Sequence, residues 1–130
     1  MNFDDSVKYQ KSHEWARKDG DLVVVGISDY AQDSLGDVVF VELPEVGATL
    51  KQGESFGVVE SVKSASDLFM PVGGEIAEVN DSLSDTPETV NESPFGDGWM
   101  IKIKPTDVSQ YDSLMSAADY EEYTKTLEEE

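Results

Sequence analysis

Between residues 21 and 104, apolar β-branched runs recur along the chain, and Gly, Asp or Pro stops each one within a few positions. Residues 21–28 (DLVVVGIS) and 37–43 (DVVFVEL) are the densest, and their Val and Ile side chains suit a pleated, half-buried surface. Further strands are expected at 55–62, 67–71, 75–80 and 99–104. Short strands with turn signals at close spacing predict a small antiparallel sandwich or barrel rather than a parallel α/β sheet. The segments VGATLKQGES and VGGEIAEVND are each a Val-Gly turn leading into a strand, as two related hairpin halves would be.

Helical signals are brief and lie between or after these runs. In SDYAQDSLG, Ser28 is a capping residue, Ala31 and Leu35 share a face, and Gly36 is a stop. Thr86-Pro87 predicts a second short helix with proline at its first position. In the last 24 residues, Tyr111, Leu114, Met115 and Ala118 fall at helical spacing, and Tyr120, Tyr123 and Leu127 do so on another face. Two short helices are therefore expected there, the second capped by Ser116 with Asp119 three residues on. Charge separates the same segment: residues 107–130 hold 8 acids and only Lys125, while residues 1–106 hold 20 acids and 8 bases.

The 130 residues suit one domain, read as 1–130, with 1–8 an N-terminal extension and 109–130 an acidic helical end. With 28 acidic against 9 basic side chains, the net charge of −19 repels phosphate backbones and anionic lipid, so neither nucleic acid nor a membrane is an expected partner. No apolar run approaches the roughly 18–20 residues of a membrane span. Cysteine is absent, which excludes disulfides, thiolate metal sites and a cysteine nucleophile. The single histidine, His13, cannot build a metal cluster. The first residues carry neither an apolar signal core nor an Arg-rich amphipathic stretch, and a cytoplasmic location is the expectation.

The sequence has no phosphate-binding glycine loop, dinucleotide fingerprint, HExxH or GxSxG, so an autonomous enzyme is not expected. The informative segment is 57–74, GVVESVKSASDLFMPVGG: two apolar runs flank ESVKSAS, whose small and polar residues suit a hairpin tip. At that tip stands Lys63, one of eight lysines. An ordinary hairpin lysine is a solubilising surface group. A lone amine on a tight turn can also carry an acyl cofactor, since acylation removes the charge and appends a long arm above a rigid β platform.

ESVKSASDLFMPVGGEIAEVND resembles the lipoyl-attachment segment of the glycine cleavage system H-protein family. KSHEW (11–15), VGISDYAQDSLGDVVFVELPEVG (25–47) and NDSLSDTPETVNESPFGDGWMIKIK (80–104) extend the likeness in order, from Tyr9 to the final helices. The fold it implies is the biotinyl/lipoyl-type sandwich-barrel, a hybrid of antiparallel sheets with short helices and a C-terminal helical segment. Its cofactor would be one (R)-lipoate in amide linkage to Lys63.

The function implied is that of a non-catalytic carrier. A pyridoxal-phosphate P-protein decarboxylates glycine onto the arm, a tetrahydrofolate-dependent T-protein takes the one-carbon unit and releases ammonia, and a flavin-containing L-protein reoxidises the dithiol. The hard chemistry belongs to cofactors and partners, and tethering supplies local concentration. A lipoate-attaching enzyme is the further partner, and the carrier is expected to be a monomer.

By the same resemblance, Glu60 and Gly74 match positions linked to lipoylation recognition, although an exposed strand-end acid and a turn glycine of positive φ would explain them equally. Ser12, Glu14 and Asp67 match positions lining a cleft for the loaded arm, whose cationic amine nearby carboxylates would hold. Trp15, Trp99, Phe40 and Phe69 read as core or rim packing. Tyr30 stands where the family often has histidine, and Met70 and Gly73 replace smaller or more polar residues.

Two alternatives share the fold. A biotinyl carrier normally has methionines beside its lysine, whereas Val62 and Ser64 flank Lys63 here. A lipoyl relay protein, passing lipoate to other carriers, is not distinguished by sequence. Electrostatic steering toward several partners gives the acidic excess a positive role, with weaker coupling expected at raised salt.

Overall fold

The Val-rich run becomes β3 (Leu22–Ile27), the central element of a sheet whose inner and outer faces are both covered. The computed structural model describes residues 1–128. Around β3 lie β1 (Lys8–Tyr9), β2 (Glu14–Asp19), β5 (Thr49–Leu50), β8 (Gly74–Val79) and β9 (Ile101–Pro105), in the order β1-β2-β3-β9-β8-β5. A second, three-stranded sheet runs β4-β6-β7, built from β4 (Val38–Glu42), β6 (Ser55–Ser61) and β7 (Ala65–Phe69). Every pairing is antiparallel. The sheets face each other as an open sandwich with free edges and short helices, in keeping with the expected sandwich-barrel hybrid, and do not close into a barrel.

Alternation explains the layering. Val23, Val25, Ile76, Ile101 and Ile103 of the larger sheet meet Val38, Val41, Val59 and Leu68 of the smaller in one buried cluster. Val24 and Trp15 point the other way and join Tyr9, Phe95 and Tyr120 in a second cluster. Trp15 lies over Gly26, where an added Cβ would come within 2.8 Å of the indole.

Helix α1 (Asp29–Leu35) is capped as expected. The Ser28 hydroxyl accepts from the Ala31 N–H at 3.1 Å, and Gly36 ends the helix at φ 79°. The Thr86-Pro87 expectation needs correction. A first helical turn, α2 (Ser82–Asp85), ends before that pair, and α3 (Thr89–Glu92) begins two residues after the proline.

At the C-terminal end, α4 (Ser109–Asp112) is a single turn and α5 (Ala117–Glu128) is the longer helix, with the Ser116 hydroxyl accepting from Asp119 N–H at 3.2 Å. Ala118 thus belongs to the second helix. Leu114 and Met115 lie between the two helices, and Met115 bridges to Tyr9. The last two residues of the expected 109–130 segment fall outside the described residues. No helix among the described residues is long and apolar enough to cross a membrane.

Candidate functional site

The β6–β7 hairpin ends in the four residues 61–64. Ser61 closes this turn in four ways: its N–H donates to Ser64 O (2.7 Å), and its hydroxyl donates to the same oxygen (3.2 Å) and accepts from Ser64 N–H (3.1 Å) and from Lys63 N–H (3.3 Å). Val62 N–H donates to Asp37 O at 3.1 Å, which ties the tip to the segment between α1 and β4. Asn91 of α3 fixes that segment in turn, accepting from Val38 N–H (2.9 Å) and donating to Gly36 O (2.9 Å).

Lys63 itself is exposed, and its aliphatic stem lies along Gly36, where an added Cβ would stand 3.3 Å from Cε. Glycine at 36 therefore serves two ends: the left-handed φ that stops α1, and room for the lysine stem. The result is a primary amine on a short, hydrogen-bonded turn above a sheet, accessible to a macromolecular active site.

Glu60 sits on the last exposed position of β6, opposite Phe40 on one side and Ala65 on the other. Gly74 is elsewhere. It is buried at the start of β8 in the larger sheet and pairs with Leu50 and Pro105. Its φ is not positive, so the turn explanation fails; a Cβ there would stand 2.2 Å from Lys104 O. Close approach of β9 is what requires glycine.

Glu14 is 1% exposed, and its side chain shares the face of Ala16 that points between the sheets. Its carboxylate accepts from the Phe69 N–H (3.0 Å), the Gln10 amide (3.0 Å) and the Ser12 hydroxyl. Gln10, just after β1, also donates to Phe69 O at 3.0 Å, so the Gln10 and Glu14 side chains pair with the free edge of β7 as a neighbouring strand would. Burial pushes the Glu14 carboxyl up from an ordinary 4.5 to about 7, and the Ser12, Phe69 and Gln10 hydrogen bonds oppose that rise. Asp67 is exposed and lies two residues from Phe69 on the same face of β7, with Val58 opposite. Ser12 and Glu14 thus meet at the edge of β7, Asp67 lies two residues along that strand from Phe69, and Gly74 stands apart.

Sequence reading missed Ser61, Gln10 and Asn91. Ser61 carried a local signal, a hydroxyl two residues before the tip lysine. Gln10 and Asn91 act through contacts 59 and 55 residues away, which no local pattern encodes. It also missed what surrounds His13, at φ 82° in the left-handed region: its Nδ1 lies 2.7 Å from the Tyr120 hydroxyl, which is 2.6 Å from Ser28 Oγ. Tyr30 packs against the same imidazole, 5.2 Å between ring centroids. Trp15, fully buried, and the half-buried Trp99 pack in the second cluster as expected, and Phe69 is half-buried at the edge of β7. Phe40 is 48% exposed.

Comparison with known proteins gives a consistent picture. The sequence model described as "Glycine cleavage H-protein" matches residues 7–127. A glycine cleavage system H protein of Anaeromyxobacter sp. (strain K) is 53% identical over 128 residues, covering 98% of this chain and 100% of that protein. One from Thermus thermophilus is 58% identical over 114 residues, covering 88% and 89% respectively. In three dimensions the chain is similar to the crystal structure of a glycine cleavage system H protein from Mycobacterium marinum. The TM-score is 0.83 at 42% identity, over 90% of this chain and 94% of that one.

Proposed function

The chain belongs to the glycine cleavage H-protein family, and from that premise we propose that Lys63 is the covalent attachment point of one (R)-lipoate. Its role is that of the lipoyl carrier of the glycine cleavage system. The finer assignment is a non-catalytic subunit serving the glycine-decarboxylating P-protein, the aminomethyl-transferring T-protein and the dihydrolipoyl-oxidising L-protein, working as a cytoplasmic monomer. A net charge of −19 supports the monomer, because two such chains repel. The observation that carries the reading is the exposed amine on a turn locked by Ser61 and anchored through Asp37.

Attachment is amide formation. The neutral Lys63 amine attacks the acyl carbon of a lipoyl donor activated by the lipoate-attaching enzyme. A C–N bond forms as the acyl C–O bond breaks, the leaving group keeps the electron pair, and the amine gives up a proton. The bound lipoate then supplies a dithiol–disulfide couple able to ferry an aminomethyl group between active sites. In this reading Glu60 is a contact of the lipoate-attaching enzyme beside the tip, and Gly74 contributes by letting β8 and β9 close.

Ser12, Glu14 and Asp67 receive the loaded arm. Asp67 offers an exposed negative charge, while the Glu14 carboxyl, poised near neutrality by burial, ionises fully when a cation approaches. The biotinyl and relay readings gain nothing from relatives that carry the glycine cleavage name. The test is Lys63→Arg, which keeps the charge but cannot form the amide. Decarboxylation and carbon exchange with the P-protein are expected to vanish with the melting temperature unchanged. Normal activity in that variant refutes the proposal.

A further inference from the structure

The exposed phenylalanine that sequence reading placed in the packing belongs to a patch beside the lysine. Strand β4 is irregular between Val38 and Phe40, and the irregularity leaves two consecutive large apolar side chains outward: Val39 is 52% exposed and Phe40 48%. Regular alternation would have turned one of them inward. Phe40 lies opposite Glu60 in register, and Val38 lies opposite Ser61. Val62, within the lysine turn itself, is 72% exposed and hydrogen-bonded to Asp37, the residue before β4. Three of the six large apolar residues exposed among the described residues thus gather on the flank of the Lys63 turn, rimmed by the acids Glu60 and Glu42. Single exposed apolar side chains need no account, but a cluster in so acidic a chain does.

Building on the proposal for Lys63, we infer that Val39, Phe40 and Val62 form the docking surface for the lipoate-attaching enzyme. The partner surface is apolar at its centre, with lysine or arginine side chains facing Glu42 and Glu60. Reach selects this partner. The acylating enzyme must bring its activated donor to the unmodified amine, so it contacts the residues immediately beside the turn. Enzymes served by the finished, much longer arm can dock farther away. Charge disfavours a second copy of the chain, because self-association would bring two −19 surfaces together.

The experiment measures lipoate incorporation into the full chain by intact mass, with purified lipoate-attaching enzyme, ATP and lipoate, for wild type, Phe40→Ser and Val62→Ser. The expected result is a fall of about tenfold or more in kcat/KM for each variant, carried by KM, with the melting temperature retained. Once loaded, the variants are expected to turn over with the P-protein at the wild-type rate. Attachment at wild-type kcat/KM overturns the docking surface. So does a wild-type dimer that Phe40→Ser dissociates while attachment is unchanged, which would assign the patch to a second copy. A wild-type chain that takes no lipoate at Lys63 would instead overturn the attachment assignment itself. The two failures are therefore distinct.

Discussion

The Lys63 turn and the Gln10–Glu14 corner both concentrate polar residues, but they use them in opposite ways. At the turn, hydrogen bonds run from Ser61 to the backbone of residues 63 and 64, and the lysine amine is left for an outside partner. At the corner, the Glu14 oxygens accept from protein donors and the carboxyl is buried. One region uses its polar contacts to display a group, the other to join two sheets. Function carried by an exposed amine can be removed without touching stability, whereas a residue that braces a sheet edge alters stability whenever it is changed.

Gly74→Ala probes that division most severely. The added methyl would stand 2.2 Å from Lys104 O, and a cost of about 3 kcal/mol is expected as β8 and β9 separate. Lipoate attachment should fall in step with the loss of folded protein and recover at lower temperature. Lost attachment with an unshifted melting curve would make Gly74 a contact of the attaching enzyme and break the division.

Glu14→Gln sharpens the contrast through pH. The folded carboxyl binds its proton more tightly than the unfolded one, so its stabilisation is complete below about pH 4.5 and is lost as pH rises through about 7. Relative to wild type, the variant should gain on the order of 3 kcal/mol between pH 4 and pH 8, an upper limit set by the full shift. Urea midpoints of the two proteins across that range measure the gap. A constant gap would mean that the carboxyl ionises as freely as a surface one.

The smallest effect concerns the surface as a whole. Raising salt from about 0.02 M to about 0.3 M shortens the screening length severalfold and should weaken coupling to the P- and T-proteins by a few-fold, mostly in association rate. Stopped-flow rates independent of salt would remove steering from the role of the −19 charge.

Much of this was legible in the sequence because it is written locally. The strands of β3, β4 and β6, the Ser28 cap, the Gly36 stop and the Lys63 turn each rest on neighbours a few residues apart. What escaped depends on distant partners. Strand β2, EWARKD, has too many charges to read as a strand and is held by pairing with β3 along its whole length. The demand for glycine at 74 comes from the distant Lys104 carbonyl, not from its own backbone angle. Phe40 reads as core or rim packing by residue type, and the irregular register of β4 against β6 leaves it outward.

The most direct measurement is the intact mass of this chain from cells supplied with lipoate, followed by peptide mapping. An increase of one lipoyl group, confined to the peptide containing Lys63 and absent in Lys63→Arg, is the predicted result. No increase in cells that lipoylate other carriers, a biotinyl increment, or a lipoyl group on another lysine would contradict the account.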